Sequence, residues 1–333
     1  MLDGKWRHMM DQTHLGYVIW QQPVRNAMTA VTEVQVPARG ELGLAVEGDP
    51  DARSGDFPIN DEVINLPALS PFGPPARWVE LFNRGRAPVR FILETSVPWL
   101  KLSATAGELG ADQRIEVSVD WSVAPAGLIE GKITVRSDAL AKPLVVTVPV
   151  DHRPVSGRVF VETDGHVAIE APHFARAIPA AGIEWKTLAD FGPTVGGVTS
   201  FPVTAGGSKL NLDGARLEYD VFFHSVGDFA VEVQCAPSWD FQPAKPLEFA
   251  ISLDDQPLQR VKLGLTATNR DWERTVADSV RRVSAHLRVG QPGAHVLKVW
   301  RVTPGVVLER IVINTGGVRP SYLGPPESGR AQP

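Results

Sequence analysis

Glycine and proline recur along the whole chain and divide it into short runs of valine, isoleucine, leucine and phenylalanine. The 333 residues include 30 glycines and 28 prolines. Both residues are disfavoured inside helices and favoured in tight turns. Residues 116–121 and 145–150 alternate apolar and polar side chains, which is the period of a strand with one buried face. The pattern predicts a mainly β protein built from many short strands.

The chain is too long for one ordinary core, because single cores stop growing at roughly 250–300 residues. The strand spacing of residues 77–152 predicts an immunoglobulin-like sandwich. Residues 158–316 fit a larger jelly-roll sandwich of the carbohydrate-binding type. We interpret residues 31–76 as an irregular linker with short strands, where 34–36 could pair with 42–48, and residues 317–333 as a tail rich in proline and glycine.

The strands predicted in these two regions lie between turn-forming residues. In the first region they are 77–83, 89–95, 100–103, 114–120, 127–137 and 144–150. In the second they are 159–162, 167–170, 217–223, 229–235, 247–253, 259–263, 284–289, 294–302 and 306–313. Residues 271–282 fit either a short helix or an extended segment.

The first 30 residues differ from the rest, because their apolar residues recur at helical spacing. Trp6, Met10 and Tyr17 belong to one apolar stripe, and Asp3 can accept hydrogen bonds from the first free amides. Pro23 ends the helix. The opposite face is also partly apolar, so we expect a helix from a bundle whose other members are missing.

Composition excludes several function classes. The net charge of −5 and the isoelectric point near 5.9 give no electrostatic reason to bind nucleic acid or anionic lipid. Cys235 is the single cysteine, which excludes an intrachain disulfide and a multi-cysteine zinc site. No apolar run reaches the length of a membrane span, and the N-terminus lacks a secretory signal pattern. Glycine-rich nucleotide-binding motifs are also absent, and we expect no cofactor.

Nine tryptophans in an acidic, β-rich chain suggest contact with sugars, because flat rings can stack on sugar faces. Trp239 is the first candidate, since it lies in a proline-containing segment beside Asp240. Trp185 and Trp272 are further candidates. Packing inside the protein is an equally valid interpretation for each of these rings.

Two groups of residues could hold a metal ion, although each has a simpler interpretation. Asp254 and Asp255 provide fewer oxygens than the six to eight that calcium takes, so a solvated turn is the simpler interpretation. His8, Asp11 and His14 follow one another at three-residue spacing, which also suits polar residues on a helix surface.

Both ends of the chain resemble one enzyme family. The opening strings KWRHMMDQTHLGY (residues 5–17) and WQQP (20–23), with Asn26, resemble glycoside hydrolase family 115, the xylan α-1,2-glucuronidases. The closing strings PGVVLERIVI (304–313), TGG (315–317) and PSYLGPPES (320–328) resemble the C-terminus of that family. Shorter matches between them are EAPHF (170–174), FPVT (201–204), LEYD (217–220) and DDQP (254–257), whereas residues 188–193 depart from the glycine-rich loop usual there.

The resemblance implies a C-terminal portion of a longer enzyme. Its relatives have a catalytic (β/α)₈ barrel, a helical bundle and then β-sandwiches, and they are expected to be periplasmic or secreted. This chain begins at a helix of the bundle, so the resemblance implies no catalytic residue here. In the full-length enzyme His8, His14, Tyr17 and Trp20 could form part of the substrate-pocket wall.

Three hypotheses follow. The first is a non-catalytic accessory region that supports the enzyme and contacts xylan or glucuronoxylan. The second is a free-standing carbohydrate-binding protein, and the third is an oligomerisation domain that forms a homodimer.

Overall fold

The computed structural model describes residues 32–49, 53–54, 64–180, 182–208, 213–240, 246–264 and 269–332. The helix predicted for residues 1–30 lies outside them, together with His8, His14, Tyr17 and Trp20. The described chain is mainly β and forms two consecutive sandwiches, in agreement with the predicted fold class.

The first sandwich consists of two five-stranded sheets. Their strand orders are β2-β1-β4-β8-β6 and β3-β10-β9-β5-β7. The strands are β1 (Leu42–Val46), β2 (Arg53–Ser54), β3 (Ile64–Asn65), β4 (Arg77–Asn83), β5 (Val89–Thr95), β6 (Leu100–Leu102), β7 (Ala106–Leu109), β8 (Asp112–Val119), β9 (Gly127–Ser137) and β10 (Leu144–His152). Strand β3 runs parallel to β10, and the other neighbouring strands of these two sheets are antiparallel. This is the immunoglobulin-like sandwich.

Alternation of apolar and polar residues explains why these segments form strands. In β5, Val89, Phe91 and Leu93 point into the core, and the residues between them are exposed. Side chains of a strand alternate between its two faces, so this order buries one face only. Strands β4, β5 and β9 have the same ends as predicted.

The segment interpreted as a linker contributes to the first sandwich. Strand β1 pairs with β4 and not with residues 34–36, where Val34 is 80% exposed. Leu66 and Leu69 are buried, and their amides donate to the backbone oxygens of Thr147 and Pro149 at 3.0 and 2.9 Å. The prolines around these leucines keep the backbone extended, which suits pairing along a sheet edge.

The second sandwich begins at residue 160. Its first sheet has the order β11-β16-β21-β18-β19, with β13 also on β16, and its second has the order β14-β15-β22-β17-β20, with β12 also on β22. The strands are β11 (Phe160–Val161), β12 (His166–Glu170), β13 (Arg176–Ile178), β14 (Glu184–Ala189), β15 (Gly196–Phe201), β16 (Arg216–Phe223), β17 (Gly227–Cys235), β18 (Glu248–Leu253), β19 (Gln259–Lys262), β20 (Arg281–Val289), β21 (Gly293–Arg301) and β22 (Val307–Asn314). This is the jelly-roll sandwich.

Two short helical elements interrupt the second sandwich. A 3-10 helix (Ala171–His173) follows β12, and the helix α1 (Asn269–Asp278) precedes β20. Residues 271–282 therefore divide between a helix and a strand, which were the two alternatives for this segment. Within the described residues, no helix combines the length and the apolar character needed to cross a bilayer.

The C-terminal residues pack against both sandwiches. The amide of Val161 donates to Gly329 O and the amide of Ala331 donates to Val159 O, both at 3.0 Å. Gly329 also donates to the backbone oxygen of Phe72 at 3.1 Å. The segment interpreted as a tail thus extends the edge of β11 and contacts the segment that connects to β4.

Candidate functional site

A groove with a volume of about 720 Å³ lies on the outer face of the second sandwich. We call it the outer groove. Its floor comes from β17, β20 and β22, and its walls from the end of α1 and residues 318–325. The core side chains of β17, such as Val233, point inward, so Glu232 and Gln234 are left on the groove side. A groove of this size suits a small-molecule ligand or part of a polymer.

Tyr322 presents an aromatic ring at this groove, where the residue is 63% exposed. Its hydroxyl donates to the backbone oxygen of Asp278 at 3.5 Å. Its own backbone oxygen accepts a hydrogen bond from Arg282 Nη2 at 3.1 Å. Hydrogen bonds at the hydroxyl and at the backbone oxygen therefore fix the position of Tyr322, while much of its ring surface is exposed. An exposed ring in a fixed position suits stacking against a flat ligand.

The charged residues of the outer groove are three arginines and two carboxylates. Arg282 forms ion pairs with Asp278 and, at 3.6 Å between Nε and Oε1, with Glu232. The Arg274 side chain is 79% exposed and lies 4.0 Å from the same Asp278 carboxylate. Arg319 completes the group of charged lining residues. The excess of cations favours a ligand that carries negative charge.

The three tryptophans singled out from the sequence lie on different elements. Trp239 is 62% exposed after β17, and Trp272 is 44% exposed on α1. Trp185 lies in β14 and packs against the core, with its Nε1 buried and without a hydrogen-bond partner among the described residues. None of the three lines the outer groove.

Tyr322 was not among the sugar-stacking candidates predicted from the sequence, which were all tryptophans. It does lie within the closing string at residues 320–328, where a tyrosine follows proline and serine. Proline, serine and glycine surround Tyr322 in this string. Such residues are typical of surface turns, so the sequence does indicate that this aromatic side chain is exposed. Its closeness to Asp278 depends on a contact across 44 residues of sequence, which local patterns do not reveal.

Asp254 and Asp255 each have protein partners. Asp254 Oδ2 lies 2.7 Å from His295 Nδ1, and its Oδ1 accepts the amide of Val296 at 2.9 Å. Asp255 accepts a hydrogen bond from Lys298 Nζ at 3.1 Å. No group of three or more metal-binding side chains occurs in the part of the chain that the structure describes.

Glu309 is the most unusual titratable residue of the second sandwich. It is 1% exposed, and neither carboxylate oxygen has a hydrogen-bond partner among the described residues. Burial and the negative charge of Glu170 raise the pKa of Glu309 to about 7. Glu162 forms a contrast, because its buried carboxylate accepts hydrogen bonds from four groups on His224, Ser225 and Thr315.

Cys235 lies at the end of β17 and is completely buried. Burial is the main cause that raises the pKa of its thiol well above the usual range, with the charge of Glu309 adding to it. Because the thiolate is the reactive form, this cysteine has no role as a nucleophile in the folded protein.

Comparison with protein families gives a match over residues 159–327, about half of the chain, to the glycosyl hydrolase family 115 C-terminal domain. Comparison with curated protein sequences gives no match.

Among solved structures, one similar to this chain is a family GH115 4-O-methyl-α-glucuronidase with specificity for decorated arabinogalactans. It is 13% identical, with a TM-score of 0.36, and the match covers 49% of this chain and 19% of that one. A second is the C-terminal family 6 carbohydrate-binding module of LamC from Zobellia galactanivorans, at 16% identity and a TM-score of 0.30, covering 45% of this chain and 98% of that one. A third is the family 35 module of Abf62 from Cellvibrio japonicus, at 10% identity and a TM-score of 0.30, covering 44% of this chain and 91% of that one.

The family match begins at residue 159, just before β11, and includes all the strands of the second sandwich from β11 to β22. It ends in the C-terminal segment that carries Tyr322. The chain belongs to glycosyl hydrolase family 115, of which its second sandwich is the C-terminal domain.

Proposed function

We propose that this chain is the C-terminal accessory region of a family 115 α-glucuronidase and that its outer groove contacts glucuronoxylan. In this proposal the two sandwiches support the enzyme and hold acidic xylan near it. The family membership provides the enzyme class, and the outer groove provides a surface where a polysaccharide chain could lie.

The observation that carries the proposal is the position of Tyr322. Sugar rings present flat faces of C–H groups, and their edges carry hydroxyl groups. A tethered ring beside polar side chains matches both features, because the ring covers an apolar face and the polar groups bond the edges. Ser284 and Asn314 line the groove and provide such polar groups.

The arginines of the outer groove favour glucuronoxylan over a neutral xylan. A glucuronate side group carries a carboxylate, and arginine binds carboxylates with paired hydrogen bonds. Arg274 suits this role, because its side chain lines the groove and is 79% exposed. We expect binding to weaken as the salt concentration rises.

Retention on immobilised glucuronoxylan tests this proposal. The purified chain should be retained, and Tyr322→Ala should remove most of the retention because it removes the exposed ring. Tyr322→Phe keeps the ring and should bind nearly as well as the unchanged chain. Trp239→Ala is the matched control, since Trp239 is equally exposed but lies outside the groove. Equal loss in both alanine variants, or no retention at all, would contradict the assignment of this groove.

Catalysis by this chain alone is not part of the proposal. Glycoside hydrolysis needs one carboxyl group to protonate the leaving oxygen and a second to activate water or attack the sugar. In the family resemblance those groups belong to the barrel. An assay of the purified chain on glucuronoxylan should therefore detect no release of glucuronate, and clear release would show that the chain carries its own catalytic pair.

A further inference from the structure

A second concavity lies at the edge of β11, and its lining contains three arginines. Its volume is about 250 Å³. We call it the arginine pocket; it is lined by Arg158, Phe160, His173, Phe174, Arg176 and Arg330, with Ala175 and Asp220. It forms where β11, β13, the 3-10 helix and the C-terminal segment meet, and none of its residues lines the outer groove.

Arg176 and His173 already have acidic partners. The guanidinium of Arg176 bonds Asp220 at 2.8 and 2.5 Å and Glu218 at 2.6 Å. Hydrogen bonds to these carboxylates raise the pKa of Arg176 further. His173 Nδ1 lies 2.8 Å from Glu327 Oε1. Arg176 and His173 line the pocket, but carboxylates of the protein already occupy their polar atoms, so neither is available to pair with a charged ligand.

Arg158 and Arg330 form no direct ion pair among the described residues, although the negative charge of Glu327 acts on Arg330 from a longer distance. Among the described residues, neither guanidinium has a carboxylate within ion-pair distance. Arg330 donates to the backbone oxygen of His173 at 2.8 Å, and its guanidinium lies 4.0 Å from the centre of the Phe160 ring. Burial is the main cause that lowers the pKa of Arg330; the negative charge of Glu327 opposes this shift, and the positive charge of Arg158 adds to it. Two cations that repel each other across a small pocket are stabilised by an anion placed between them.

We infer that Arg158 and Arg330 bind the carboxylate of a monosaccharide acid in the arginine pocket. The pocket is smaller than most ligand pockets, so it suits one sugar ring and not a polymer. The aromatic side chains Phe160 and Phe174 provide apolar wall beside the two guanidinium groups. The anionic part of this ligand follows from the charges of the pocket, whereas its sugar part rests on the proposed function.

Calorimetric titration of the full chain with glucuronate tests the inference, with glucose as the neutral sugar and inorganic phosphate as the plain anion. We expect glucuronate to bind and glucose not to bind. Arg158→Ala should weaken glucuronate about tenfold or more, because it removes a charged hydrogen-bond donor. Arg158→Lys should retain part of the affinity. Equal binding of glucose, or unchanged affinity in Arg158→Ala, would overturn the site, and phosphate binding as tightly as glucuronate would overturn the sugar assignment.

Two controls separate this site from the outer groove and from loss of folding. Arg90→Ala removes another exposed arginine, on β5 of the first sandwich, and should leave glucuronate binding unchanged. Tyr322→Ala should reduce retention on glucuronoxylan and leave the glucuronate titration intact. Failure of the arginine pocket would thus leave polysaccharide retention in place, and failure of the outer groove would leave glucuronate binding in place. Arg158 is exposed, so its replacement does not threaten the core.

Discussion

Arg77 of the first sandwich donates a hydrogen bond to Asp164 of the second, with 2.5 Å between Nη2 and Oδ1. The same guanidinium bonds Glu47 at 2.8 Å and the backbone oxygen of Ala68 at 3.0 Å, although its side chain is only 5% exposed. One buried cation therefore joins β4, the segment before it and the turn between β11 and β12.

Replacing Arg77 should destabilise the protein strongly. Arg77→Ala leaves two carboxylates without their partner; because each is 25% exposed and can be hydrated, we expect a cost of about 1.5–3 kcal/mol. Denaturant unfolding should show this loss, and the two sandwiches could then unfold in separate transitions. Arg90→Ala removes an exposed ion pair with Glu108 and should cost less than about 1 kcal/mol. If the two variants lost similar amounts of unfolding free energy, the contacts of Arg77 between the sandwiches would contribute no more than an exposed ion pair.

Glu309 should make stability depend on pH. Its pKa of about 7 in the folded protein lies above its ordinary value of 4.5, so the folded state keeps a proton that the unfolded state loses between these values. Stability from this group should fall as the pH rises from about 4.5 to about 7 and then level off, by an amount on the order of 3 kcal/mol.

The difference between the unchanged chain and Glu309→Gln isolates this effect. Other groups also titrate in this range, since burial lowers the pKa values of His166 and His224. Both proteins share those groups, so only the Glu309 contribution differs. Melting temperatures measured from pH 5 to pH 8 should favour Glu309→Gln increasingly toward pH 8. A constant difference across this range would mean that Glu309 does not titrate there.

Cys235 should not react while the protein is folded. It is the single cysteine, it is fully buried, and its raised pKa keeps the thiol protonated. A colorimetric thiol reagent should detect no thiol in buffer and one thiol per chain in denaturant. Rapid reaction in buffer would place Cys235 in a segment that opens easily.

Trp185 should matter for packing and not for sugar binding. It contacts the core of the second sandwich, and its buried Nε1 has no described partner. Trp185→Phe should therefore have little effect on stability, whereas Trp185→Ala should cost roughly 1–3 kcal/mol, because the residue is only partly buried. Both variants should be retained on glucuronoxylan like the unchanged chain. Weaker retention of Trp185→Phe would instead support the sugar-stacking role considered from the sequence.

Local patterns predicted most strands because their signals lie within a few residues. Strand β5 is an example, since alternating side chains define its buried face and turn residues mark its ends. The path of residues 64–76 was not predicted, because it depends on pairing with β10 far along the chain. The Pro-rich sequence is compatible with both a linker and an edge strand.

The candidate sites depend even more on distant contacts. Tyr322 reaches Asp278, and Arg330 reaches His173 and Phe160, through folding of the C-terminal segment onto the second sandwich. No sequence period links these residues. The family resemblance did identify the C-terminal segment as distinctive, but it did not show which of its side chains face a groove.

We propose above all that the chain binds acidic xylan through the outer groove. Its most direct test is the affinity of the purified chain for glucuronoxylan, measured by titration beside xylan from which the glucuronate groups have been removed. We expect saturable binding that is stronger for glucuronoxylan than for the stripped xylan and is lost in Tyr322→Ala. Absence of binding to both polymers, or binding that Tyr322→Ala leaves unchanged, would contradict it.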